Sequence, residues 1–218
     1  LSRATGNEIY EEVPPDFYDT SLKKANPLTR YYHENRYGKI RKFIGSRFRK
    51  GMRILDLGCG SSSWNITGFQ VTGVDINLKM LEYGKSKGYL KDFARCDFAR
   101  EPAPFEEGTF DFVVISEVLE HLTDPARAVA EARRLLKKGG HMIVTVPFDT
   151  FLSPWSVLFE LGCFLRGDIL GNEYYRRRCG HINHFSPKTI SALIEKEGFE
   201  VIEKDITLLN IGLLAKKR

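Results

Sequence analysis

The sequence predicts an α/β protein built on a seven-stranded sheet, mostly parallel with an antiparallel last strand, with helices on both faces. Three observations predict it. Five short apolar runs, at 52–57, 70–75, 93–97, 110–116 and 141–146, have the composition of buried strands and alternate with helix-like segments, which implies parallel pairing. Two more runs, 199–202 and 207–214, lie so close together that they must form an antiparallel hairpin. A glycine-bearing turn, Gly58-Cys59-Gly60, directly follows the first run, where a strand of such a sheet would open onto a ligand crevice.

From the N-terminus, the first clear element runs from Pro27 to about Arg49. Leu28, Tyr32, Ile40, Phe43 and Ile44 give this helix an apolar side, and basic residues give it a wet side. Polar caps followed by proline mark three helix starts: Asn26-Pro27, Asp124-Pro125 and Ser186-Pro187. The cap side chain accepts from first-turn N–H groups, and proline lacks the N–H that would go unpaired there. After Pro125, Val129, Ala132, Leu135 and Leu136 share a face until Gly139-Gly140 stops the run. After Pro187, Ile190, Leu193 and Ile194 do the same until Gly198. Only twelve residues, 59–70, join the first two strands, near the minimum for a parallel crossover, so the helix after the glycine turn must be short or irregular. The chain shows no internal repeat and no low-complexity segment.

With 218 residues and 42% hydrophobic content the chain suits one domain with a sizeable core. The expected organisation is an N-terminal helical extension, 1–50, packed on a ligand-binding domain, 51–218. The longest apolar stretch, 151–165, is interrupted by Pro154 and Glu160 and falls short of the roughly 20 residues that span a membrane. No charged-then-apolar leader follows Leu1, so no signal peptide is expected. Cys59, Cys96, Cys163 and Cys179 are scattered, without a C-x-x-C pair, which argues against a zinc knuckle or a disulfide framework and for a reducing cytoplasm. The net charge of +5 is uneven: residues 23–53 hold eleven Lys or Arg and one acid, Glu34. That segment is either a solvated helix face or a surface for nucleic acid, anionic lipid or a phosphorylated substrate.

The first strand ends in Asp56-Leu57-Gly58-Cys59-Gly60-Ser61-Ser62 and the second in Val74-Asp75. Glycines let a ligand approach the backbone, and an acid at the tip of the second strand can accept from both hydroxyls of a ribose, so an adenosine-containing ligand is indicated. Together with Met80, the 95–98 segment, the 110–121 segment containing Glu117-Val118-Leu119-Glu120-His121, the 135–147 run and His184-Phe185-Ser186, these motifs resemble the class I S-adenosylmethionine-dependent methyltransferases, over about residues 30 to 214. The resemblance is to the small-molecule branch. It implies a Rossmann-like fold, S-adenosyl-L-methionine as cofactor and a small-molecule acceptor methylated at O, N or C. It places Asp56, Gly58 and Gly60 at the methionine end, Asp75 on the ribose, Ile76 and Phe98 against the adenine, and Asp97 on its amino group. Ser116 and Glu117 would border the same crevice. A nicotinamide dehydrogenase is disfavoured because Ser63 stands where the third glycine of its turn belongs. The methyltransferases' own usual third glycine is Ser62 here.

Methyl transfer from a sulfonium is an in-line displacement, so the protein aligns the acceptor, excludes water and, where needed, removes a proton. His184, His181 and His121 are the candidate catalytic residues. On a helical turn Glu117, Glu120 and His121 would share a face. With His184, or His181 in its stead, they resemble the metal set of small-RNA terminal 2′-O-methyltransferases and some quinone-biosynthesis O-methyltransferases. The favoured expectation is nevertheless no metal and a role for His184 in the acceptor pocket. By the same resemblance the 148–183 segment is an insertion that shapes that pocket. Its apolar residues read as core, a lid, a partner interface or a membrane-surface contact, while Tyr18, Tyr31 and Tyr32 either pack or close the cofactor site. Two other readings stay open: an RNA-directed methyltransferase or RNA-binding module using 23–53, and a cofactor-binding pseudoenzyme.

Overall fold

The computed structural model describes residues 8–11, 13–24, 27–150 and 153–218. Short helices α1 (Glu8–Glu11) and α2 (Phe17–Lys24) precede the longer α3 (Pro27–Gly45). The sheet strands are β1 (Ile54–Leu57), β2 (Val71–Asp75), β3 (Asp92–Arg95), β4 (Phe110–Ser116), β5 (Leu136–Pro147), β6 (Phe199–Ile206) and β7 (Asn210–Lys217). Between them lie α4 (Leu78–Ser86), α5 (Pro125–Leu135), α6 (Pro154–Cys163), α7 (Glu173–Arg176) and α8 (Pro187–Lys196).

The strands stand in the order β3-β2-β1-β4-β5-β7-β6. β1 to β5 pair in parallel, and β7 is antiparallel to both β5 and β6. The seven-stranded sheet with its antiparallel last strand is thus as the sequence predicts. Strand alternation divides the core in two. Leu55, Leu57, Val113 and Ile115 face Ala128, Val129 and Ala132 of α5 and Ile190 and Ile194 of α8. Ile54, Phe112 and Val114 face Ile40, Phe43 and Ile44 of α3 and Leu81 of α4. The strand order reverses between β1 and β4, and Leu57 is level with both Val74 and Ile115, so the turns leaving β1, β2 and β4 open together at one switch point.

Two predicted caps are present: Asp124 accepts from the Arg127 N–H and Ser186 from the Thr189 N–H, each stabilising its helix by about 1 kcal/mol. Asn26, the third, lies outside the described residues. Several bounds differ from the sequence reading. α3 ends at Gly45 rather than near Arg49, and β6 runs on to Ile206. α5 ends at Leu135, and Leu136 already pairs with Phe110; the register then jumps to Phe112 with His141. Gly139 and Gly140 therefore fill a bulge inside β5 instead of closing a helix. No helix occupies 58–70, where the crossover is a series of turns. Buried Asn65 holds them, donating to the Phe69 and Tyr89 carbonyls and accepting from the Phe69 N–H.

The basic 23–53 segment is not one solvated face. Arg36 and Lys39 are buried, Lys42 pairs with Asp205, and Arg47 with Glu203. Among the described residues no helix is long and apolar enough to cross a membrane.

Candidate functional site

The turns after β1, β2 and β4 border a cavity of about 420 Å³, walled on its other side by α1 to α3 and the 153–181 segment. Gly58 leaves β1 with φ +70, and a Cβ there would lie 2.6 Å from Val118 Cγ2. Only glycine fits that turn. Asp75, at the tip of β2, spends one lone pair of each carboxylate oxygen on backbone: Oδ2 accepts from the Gly60 N–H at 2.7 Å and Oδ1 from the Asn77 N–H at 2.8 Å. Its remaining lone pairs suit a vicinal diol. Burial, against the backbone N–H groups of Asn77 and Gly60, holds its pKa above the usual carboxylate value. Ile76, Asp97 and Phe98 line the same end, and the Asp97 side chain caps the Ala99 N–H. An apolar slot with a carboxylate at its edge results.

At the other end of the glycine turn is a second pocket of about 20 Å³, lined by Tyr18, Arg36, Tyr37, Asp56, Gly58 and Ser116 among others. It holds about one small charged group. Asp56 is 1% exposed; Oδ2 accepts from the Ser62 hydroxyl and the Trp64 indole N–H, while Oδ1 has no partner. Burial pushes its pKa up to about 6, against the pull of those two donors. Opposite stands Arg36, 4.8 Å over the Tyr37 ring, donating to the Tyr37 hydroxyl at 3.2 Å and 3.7 Å from Glu117. Its Nε has no acceptor. An anion and a cation, each with an unspent polar atom, thus face a site the size of a zwitterionic head.

On the far side Glu117 leaves β4 with φ +55, and its carboxylate accepts from the Tyr32 hydroxyl. The strained backbone turns it toward α3, and the following helical turn covers only Leu119–His121. Glu120, His121 and His181 meet there, with one ligand atom of each within 4.8 Å of the others. Glu120 is 1% exposed, neither carboxylate oxygen has a hydrogen bond, and burial followed by Glu117 pushes its pKa well up. Burial and then His181 push His121 down to about 3, leaving a neutral imidazole. His181 stacks on Phe159 at 4.7 Å, and Trp155 on Tyr32 at 4.3 Å, so the chamber beside these groups is aromatic.

The sequence-predicted residues Gly58, Gly60, Asp75, Ile76, Asp97, Phe98, Glu117, His121 and His181 all line the large cavity. Asp56 and Ser116 line only the small pocket, and Ser116 is bonded to Thr145. His184 is corrected: its side chain is 64% exposed, outside the cavity lining, and its Nδ1 bonds Asp149 at 2.9 Å. The alternative metal set of Glu117, Glu120, His121 and His184 does not assemble, because Glu117 precedes the helical turn and His184 bonds Asp149 outside the cavity lining. His181 joins Glu120 and His121 instead. Tyr18 and Tyr32 line the cavity, whereas Tyr31 is exposed. Arg36, Tyr10, Trp155 and Phe159 escaped the sequence reading. Arg36 was legible in principle, since its spacing of four from both Tyr32 and Ile40 puts it on the apolar side of α3.

Among the described residues eight buried side-chain polar atoms lack a partner. All belong to residues lining these two pockets. Unpaired buried groups each cost on the order of 1–3 kcal/mol, so their confinement here marks where a polar ligand belongs.

Residues 29–204 match a family model described as a methyltransferase domain. A ubiquinone biosynthesis O-methyltransferase of Bordetella bronchiseptica is 32% identical, over 82% of this chain and 71% of its own length. A ubiquinone/menaquinone biosynthesis C-methyltransferase of Haemophilus ducreyi is 30% identical over 79% of this chain and 73% of its own. Among solved structures, magnesium protoporphyrin IX methyltransferase from Synechocystis PCC 6803, with bound S-adenosylhomocysteine, superposes with a TM-score of 0.72 at 17% identity, covering 97% of this chain and 98% of that one. That likeness concerns the fold.

Proposed function

Because this chain belongs to the S-adenosylmethionine-dependent methyltransferases, we propose that its two pockets hold that cofactor in one orientation and that the aromatic chamber takes a small ring-bearing acceptor. The observation that carries the reading is the confinement of the partnerless buried polar atoms to these pockets. Asp75 accepts from the ribose hydroxyls, Phe98 packs on the adenine beside Asp97, Arg36 takes the methionine carboxylate, and Asp56 Oδ1 takes its ammonium. When bound, the cofactor supplies an electrophilic methyl on a sulfonium. Trp155, Leu158 and Phe159 of α6 and Leu209 keep water from the chamber and present the acceptor in line. In this reading the 148–183 segment, which supplies Trp155, Leu158 and Phe159, shapes the acceptor pocket. For an acceptor hydroxyl that takes this methyl, His121 or His181 would receive the proton the oxygen gives up. The names of the two quinone-biosynthesis relatives support a phenolic or quinol ring as the acceptor class.

A second reading is favoured by the bare Glu120 carboxylate. Glu120, His121 and His181 fit a divalent cation: one carboxylate and two imidazoles suit a borderline ion such as zinc or ferrous iron. It would supply a Lewis acid beside the acceptor. One experiment tests both. Wild-type protein is incubated with labelled methyl donor and phenolic acceptors, with and without chelator. Methyl transfer in both states supports the histidine base, loss in chelator supports the cation, and no binding of donor or S-adenosylhomocysteine refutes the cofactor site.

A further inference from the structure

Tyr10 lies far in sequence from every motif above, yet its hydroxyl touches the acceptor-side histidine. We infer that Tyr10 is a positioning residue that fixes His121 in the tautomer protonated at Nδ1, so that the Nε2 lone pair faces Glu120 and His181. The inference rests on the acceptor-side role proposed for His121.

The hydroxyl is 2.8 Å from His121 Nδ1 and 2.9 Å from the Cys179 carbonyl oxygen. It has one hydrogen, and a carbonyl can only accept. Both contacts are hydrogen bonds in one arrangement alone: Tyr10 donates to Cys179, and His121 Nδ1–H donates to Tyr10. A neutral imidazole carries one N–H, so Nε2 is left with its lone pair, 3.7 Å from Glu120 Oε1. That nitrogen is the one able to take a proton or bind a cation.

The surrounding backbone is shaped to this contact. Cys179 sits at φ +52, a left-handed conformation that is strained for a residue carrying a side chain. Gly180 follows at φ +79, and a Cβ there would lie 2.8 Å from the Tyr10 oxygen, so the hydroxyl occupies space that only glycine leaves. Tyr10 is held from its other end, since Asn77 donates its side-chain amide to the carbonyls of Tyr10 and Val13 while its backbone N–H serves Asp75. The segment that closes one wall of the cofactor cavity therefore also orients the acceptor-side imidazole.

The test is a long-range proton–nitrogen correlation spectrum of protein labelled with ¹⁵N-histidine, recorded at neutral pH without ligand, with His121→Gln assigning the resonance. Wild type should show His121 protonated at Nδ1. In Tyr10→Phe the ratio of the two tautomers should shift by roughly fivefold or more toward Nε2–H, the worth of about one net hydrogen bond. Wild-type His121 protonated at Nε2, or a ratio unchanged by Tyr10→Phe, overturns the inference and leaves the cofactor site untouched. Failure of wild type to bind S-adenosylhomocysteine overturns the functional reading instead, and the tautomer is read independently of it.

Discussion

Replacing Arg36 by Met separates the two ends of the cofactor. The residue is 6% exposed, so methionine of similar length fills its volume, and what is lost is charge and hydrogen bonding. Its unspent Nε and the adjoining N–H groups face the small pocket, where hydrogen bonds to a carboxylate are worth about 1.5–3 kcal/mol in total. S-adenosylhomocysteine should therefore bind about 10- to 150-fold more weakly. 5′-Methylthioadenosine has the same nucleoside and thioether but no amino-acid head, so its affinity should change less than threefold. Titration calorimetry of both ligands with both proteins measures the difference of differences, which cancels any general loosening of the cavity. Thermal stability should fall too, because Glu117 loses its cation 3.7 Å away, although Tyr32 still donates to it. Equal losses for the two ligands would refute the assignment of Arg36 to the carboxylate, since a mere packing defect makes no such distinction.

Asp75→Ala should weaken both ligands alike, by roughly 10- to 100-fold, because both carry the ribose and because the Gly60 and Asn77 N–H groups lose their acceptor; calorimetry checks it. With its pKa raised to about 6, Asp56 is neutral below that pH, so S-adenosylhomocysteine affinity should fall about tenfold per unit as pH drops from 6 to 4.5, and 5′-methylthioadenosine, which meets Asp75 but not Asp56, should lose less. The same shift makes ligand-free protein lose stability as pH rises from about 4 to about 6, the range in which the carboxyl is ionised in the unfolded chain but still protonated in the fold, and calorimetric melting from pH 4 to 7 reads that slope and its levelling. Saturation with S-adenosylhomocysteine at about 100 times its Kd should stabilise the fold by roughly 2.7 kcal/mol, raising Tm by about 5–10 °C. Filter binding to RNA at low salt should show no steeply salt-dependent retention, because Arg36, Lys39, Lys42 and Arg47 are already buried or paired.

What was legible in the sequence follows periodicity and backbone demand. Strand runs, proline-marked caps and the glycine turn each state a local requirement, and all seven strands stand where those requirements put them. The strand-end carboxylates were legible for the same reason, since a residue at the tip of β2 has little choice but to face the switch point. The histidines were not. His181 and His184 are three residues apart in a segment without regular structure, where nothing periodic decides which one turns inward. The decision belongs to Phe159, which stacks on His181, and to Asp149, which holds His184 outside. The pairing of Tyr10 with His121 spans 111 residues and carries no sequence signal at all. Arg36 was misread because a basic helix face was treated as uniform, although helical spacing alone separates Arg36 from its exposed neighbours.

The partnerless atoms also sort by chemistry. Asp56 Oδ1 and Arg36 Nε, an acceptor on an anion and a donor on a cation, stand at the small pocket proposed for the methionine head, where one amino-acid group would satisfy both. Glu120 contributes two bare oxygens on the acceptor side, and the proposed cofactor pose spends no group on them. A fully buried carboxyl with no donor cannot remain charged without a counter-charge, so either it holds a proton or a cation sits beside it. Both states serve the same chemistry from opposite directions. Protonated, Glu120 would donate toward a developing acceptor oxygen while a histidine took the hydroxyl proton; with a cation bound, Glu120 would be ionised and the histidines would be its ligands. The neutral state of His121 is compatible with either, because an imidazole must be unprotonated both to accept a proton and to bind a metal. What decides between them is therefore not the geometry of the three residues but which charge enters the chamber with the acceptor.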